Sequence, residues 1–221
     1  GMLLSTLLLG ACDMPWNAPY PPSDSGRSIY YDTFTERPKH LDPVSSYSEN
    51  EAVFNSQIYE PVVQYHYLKR PYELTPLTAR EVPEPAYYDA AGQPLPADAP
   101  QSEVARTVYR IRLQEGIRYQ PHPAFAKDAD GGYRYHDLDA DDVADVTRLA
   151  DFPEVGTREL VAADYVYQIK RLAHPRLHSP VAGFMAKYIV GLGGLAERLA
   201  GLDLDATGYI DLRDHDLRGV K

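Results

Sequence analysis

Asp203, Asp205, Thr207, Tyr209, Asp211 and Asp214 stand at positions one, three, five, seven, nine and twelve of a calcium-loop spacing. Gly208 takes position six and Ile210 position eight, as the turn of an EF-hand loop requires. Position five is Thr, however, and position twelve is Asp instead of a bidentate Glu. The same residues read more simply as an acidic turn after a helix over 195–202, and both readings stay open. Asp128-Ala129-Asp130-Gly131-Gly132 fits a calcium loop less closely. His174 and His178 are four apart, but Pro175 argues against a shared helical face. There is no Gly-x-Ser-x-Gly elbow, Gly-Lys-Ser/Thr phosphate loop or His-Glu-x-x-His zinc helix. Carboxylates are plentiful, yet sequence cannot place two of them across a scissile bond. No catalytic group and no cofactor is expected.

The elements that must position these residues are legible in part. With 221 residues, the chain is long enough for one or two cored domains. A net charge of −10 argues against nucleic-acid partners, which need a basic patch. The chain has 18 Tyr against 5 Phe, a lean towards wet clefts and binding surfaces. Strands are expected near 29–34, 106–113 and 117–120, with Tyr109, Ile111 and Leu113 on one apolar face and Glu115-Gly116 as the turn. Helices are expected near 49–60, 162–173 and 180–190. The first opens on a Ser48/Glu51 capping box and turns Phe54 and Ile58 to the core; Pro61 ends it. The second starts at Val161, which cannot cap, with Asp164 offsetting that deficit in the first turn. Residues 87–101 and the acid-rich stretch 126–157 read as loop and insertion.

Leu3 to Leu9 is an apolar run too short to span a bilayer. It leads into Leu9-Gly10-Ala11-Cys12, which resembles the bacterial lipoprotein processing site. That resemblance implies a lipidated Cys12 as mature N-terminus, and Asp13 implies retention at the inner membrane, facing the periplasm. No Lys or Arg precedes the run, so the native N-terminus is expected to lie elsewhere than Gly1.

Five short segments, in order, carry a second resemblance: Leu41-Asp42-Pro43, Ile58-Tyr59-Glu60-Pro61, Leu74-Thr75-Pro76-Leu77, Leu113 to Tyr119 and Ala162 to Tyr167. Their order and spacing resemble the family-5 extracellular solute-binding proteins, the peptide- and nickel-type receptors of ABC importers. The resemblance implies a mixed α+β chain, the N-terminal part of a type II two-lobe periplasmic-binding fold. Its parts would be a signal segment (1–12), a tether (13–28), the start of lobe I (29–50) and a lobe I-associated subdomain (51–221), with the second lobe beyond residue 221. It implies capture of oligopeptides or a related solute, delivery to an ABC permease, and a lipid anchor in the membrane. Glu36, Arg37, Lys39 and His40, in the loop before Leu41-Asp42-Pro43, would border the ligand; Tyr109 would be core. Two other readings stay open: a secreted, lipid-anchored hydrolase with its nucleophile beyond Lys221, and a calcium-dependent structural module.

Overall fold

The structure, a computed structural model, describes residues 26–204 and 208–221. Two compact units divide the chain, Gly1–Arg37 and Pro38–Lys221. In the first, the described residues 26–37 contain no strand, against the expectation for 29–34. β-rich residues make a strand only when a neighbour completes the ladder. Here Ile29 N–H turns back to the Arg27 carbonyl, and Thr33 N–H donates to the Asp32 carboxylate.

The second unit is mixed α+β. Helix α1 (Glu49–Ile58) leads to strands β1 (Val63–Tyr65) and β2 (Leu74–Pro76), an antiparallel pair with Val63 opposite Pro76. Strands β3 (Pro85–Tyr88), β4 (Pro94–Leu95) and β5 (Arg106–Tyr109) form an antiparallel sheet in the order β4-β3-β5. Helices α2 (Ala162–Arg171), α3 (Ala182–Met185) and α4 (Leu192–Ala200) complete the described regular elements, apart from short 3-10 turns. Helix α1 stops two residues early because Pro61 forces Glu60 towards extended backbone. The segment expected to be helical over 180–190 keeps only α3; Gly191, at φ 86, then starts α4.

Residues 117–120 form no regular strand, against the expectation, but an isolated bridge at Arg118 with Glu159, beyond the insertion, and bonds around it. Leu160 N–H donates to Ile117, Tyr119 N–H to Arg158, and His122 and Gly156 exchange bonds in both directions. This ladder closes the 126–157 insertion into a loop. The acidic clusters inside it form turns: Asp128 Oδ1 accepts from Asp130 and Gly132, and Asp139 Oδ1 from Asp141 and Asp142.

The apolar core lies at the far end. Leu192, Leu195 and Leu199 recur on one face of α4 and pack with Ala173, Ile210, Leu212 and Leu217. α2 supplies Ile169 and Leu172 to its margin, and buried Lys170 donates to the Leu212 carbonyl at 3.0 Å. Two expected core residues are not core. Ile58, the last residue of α1, is 58% exposed although Glu51, two turns earlier on the same face, is buried; Tyr109 is also 58% exposed, in a strand whose four residues are all exposed.

Thr78, wholly buried, joins α2 to the end of α1. Its hydroxyl lies 2.7 Å from Tyr165 Oη, and Tyr165 donates to the Glu60 carbonyl at 2.9 Å. Tyr165→Phe should destabilise the chain by about 1 kcal/mol by urea unfolding, since it takes the donor from the Glu60 carbonyl, while the Thr78 hydroxyl keeps the Pro61 carbonyl at 3.2 Å.

Candidate ligand-binding loop

Glu36 and Arg37 end the first unit and are exposed there; Lys39 and His40 open the second and are also exposed. What positions Lys39 and His40 is the buried carboxylate of Glu51, 3% exposed. Its Oε1 accepts from the backbone N–H of Lys39 at 3.0 Å and His40 at 2.8 Å. Its Oε2 accepts from the N–H of Tyr47 at 3.0 Å and Ser48 at 3.2 Å. The capping pair with Ser48 is thus half of a larger clamp, with the main chain drawn inward and both loop side chains left to solvent. The N–H donors of Tyr47 and His40 hold the Glu51 carboxyl far below the usual carboxylate range, overriding the opposing effect of burial.

Asp42 fixes the other end of the loop. Its carboxylate pairs bidentately with Arg171 of α2 and accepts from Val44 N–H at 3.1 Å. Burial would raise the Asp42 carboxyl, but the Arg171 hydrogen bond, Val44 and the Arg171 charge together hold it below its usual value. Ser45 Oγ adds a bond to the Leu177 carbonyl at 2.7 Å. The folded-state pKa of Asp42 is lowered, so its stabilising effect is complete above the usual value near 3.8 and fades as pH falls below it. Arg171→Met should therefore flatten the acid limb of a stability-versus-pH curve measured by urea unfolding.

A second ion pair sits at the mouth of the insertion. Arg158 grips Asp164 with both guanidinium nitrogens and lies over Tyr119 and Phe125, 4.8 and 5.4 Å from the ring centres. Asp164 also accepts from Val161 N–H at 2.9 Å, supplying from the third residue of α2 the cap that Val161 lacks. Burial opposes ionisation of Asp164, yet Arg158, the Val161 N–H and Tyr119 outweigh it and lower its pKa.

The calcium spacing is met only in part by the described residues. Asp205 and Thr207 lie outside them. Asp203 is exposed, while the Asp211 carboxylate is engaged by its neighbour Arg213 through both backbone N–H and guanidinium, which holds its pKa at about 2. Asp214 closes the 3-10 turn beginning at Leu212. Among the described residues, no three His, Cys, Asp or Glu side chains converge as a metal site would require. His174 Nδ1 accepts from Arg176 N–H at 3.2 Å, and His178, at φ 47, is exposed. Cys12 lies outside the described residues. Among the described residues, no helix is long and apolar enough to cross a membrane.

Neither family models, nor curated proteins, nor solved structures give a match to this chain. Sequence reasoning missed Arg171 and Arg158 and saw only half of Glu51's role. The Ser-x-x-Glu pattern was a usable signal for Glu51; nothing local marks a pair such as Asp42 and Arg171, 129 residues apart.

Proposed function

We propose that this chain is part of the substrate-binding lipoprotein of an ABC importer, which captures oligopeptides or a related solute outside the inner membrane. The observation that carries this reading is the meeting of segments far apart in sequence. Leu41-Asp42-Pro43 is tied to α2 through Arg171, and the Tyr-Glu-Pro and Leu-Thr-Pro-Leu-Thr segments are tied to the same helix through Glu60, Thr78 and Tyr165. Three of the segments that carry the family resemblance are thereby held by one helix, at Tyr165 and at its last residue, Arg171. Within this unit, Lys39 and His40, whose main chain Glu51 holds, are the proposed solute contacts.

In a complete receptor the lobes close over the solute, so binding and closure are one event.

The test is a thermal-shift screen of the full-length protein against pools of short peptides and small polar solutes. The reading expects one pool to raise the melting temperature, by about 2.7 kcal/mol of added stability at a hundred times Kd. No shift from any pool, or cleavage of the peptides by the protein, would contradict it.

A further inference from the structure

Strand β5 and the extended residues after it pair with other segments along one edge; at the far end of the other edge the Leu113 carbonyl accepts from Arg80 Nε at 2.9 Å. Along the first edge, β5 pairs with β3, Ala105 N–H donates to Tyr88, Arg80 N–H donates to Arg112, and Gln114 N–H donates to Thr78. Among the described residues, no strand or bridge pairs with the opposite edge. A row of unpaired backbone groups is a template for an added strand.

The side chains along this edge define what could add to it. By two-residue alternation, Arg106, Val108, Arg110 and Arg112 share one face and Thr107, Tyr109, Ile111 and Leu113 the other. Val108 is 39% exposed, Tyr109 58% and Ile111 43%. Arg106 lies over the Tyr88 ring, while Arg110 and Arg112 line an open groove of about 340 Å³ with Glu81, Val82, Pro83 and Glu84. Arg112 reaches Glu81 at only 3.5 Å, with both side chains more than 60% exposed, so solvent screens that pair.

We infer that the free edge over 105–113 binds an extended segment of a partner protein whose side chains alternate between acidic and apolar. The acidic residues would meet Arg106, Arg110 and Arg112, and the apolar ones Tyr109 and Ile111, while the main chain completes the ladder. A second copy of this chain fits worse. Antiparallel self-pairing would set the arginines of one edge against those of the other, and like charges across a ladder repel. This inference stands apart from the receptor reading, since the edge is distinct from the Lys39 loop.

The probe is a short acetylated peptide of alternating glutamate and valine, titrated calorimetrically into the full chain, with a lysine–valine peptide as control. The expected result is binding of the glutamate peptide alone, slowed hydrogen exchange at the amides of 105–113, and about tenfold weaker binding in the Arg110→Glu/Arg112→Glu double variant. Both positions are exposed, so the double variant should keep the parent circular dichroism spectrum. Equal binding of the lysine peptide, unchanged exchange along the edge, or no binding would overturn the inference. A mass that doubles with concentration without peptide, together with protection at 105–113, would overturn it in favour of self-pairing.

Discussion

Glu51→Ala is expected to lower the melting temperature by about 5–10 °C, the scale on which orphaned buried donors shift a domain of this size. The four backbone N–H groups that converge on this carboxylate come from two separate turns, Lys39-His40 and Tyr47-Ser48, and would lose this acceptor together. Glu51→Gln separates the contributions. Its single carbonyl oxygen can serve one pair of donors, while its amide turns hydrogens towards the other pair, so a smaller fall is expected. Glu49→Ala is the control: Glu49 is exposed in the first turn of the same helix and should cost about 1–2 °C. In Glu51→Ala, hydrogen exchange at the Lys39 and His40 amides should also accelerate. The sign with pH is fixed, because the folded-state pKa lies below the usual 4.5. The contribution is complete above that value and is lost as the solution becomes more acid. Stability of Glu51→Ala that falls as steeply in acid as that of the parent would count against the clamp.

The second large effect is expected at Gly156, where the ladder closes the insertion. A Cβ there would lie 2.0 Å from the Phe125 carbonyl oxygen and 2.4 Å from its carbon, both backbone atoms that cannot swing aside. Gly156→Ala should therefore cost about 1–3 kcal/mol by urea unfolding and expose the His122 and Gly156 amides to exchange. Gly183 provides the contrast. It lies within α3 with open space where a Cβ would go, so Gly183→Ala should stabilise by about 0.5–1 kcal/mol. If the two substitutions behaved alike, the close approach at Gly156 would be refuted.

Local signals carried α1 and α2, kept only part of the helix expected over 180–190, and missed most of the contacts that orient them. α1 and α2 follow from an opening turn, apolar spacing and a downstream proline, all contained within one segment. The Asp164 carboxylate compensates for Val161 as its position suggested, although by a direct hydrogen bond to the Val161 N–H more than by the helix dipole. Strands fared worse, because a strand is a property of two segments. Residues 29–34 have strand-like composition but join no ladder among the described residues, while 117–120 found a partner across an insertion that gave no hint of it. Tyr109 was misplaced for a related reason: alternation shows which residues share a face, and only a covering layer decides whether that face is buried. Of the candidate site, the charged loop was legible from its place before Leu41-Asp42-Pro43. The Arg171 anchor was not, since long-range ion pairs leave no periodic trace.

The account rests on this chain belonging to a receptor that closes on a solute. Small-angle X-ray scattering of the full-length protein, with and without the peptide pool that raises its melting temperature, tests that most directly. The account predicts a smaller radius of gyration on addition, with the peptides recovered intact. An unchanged radius at saturating peptide, or recovery of cleaved peptides, would contradict it.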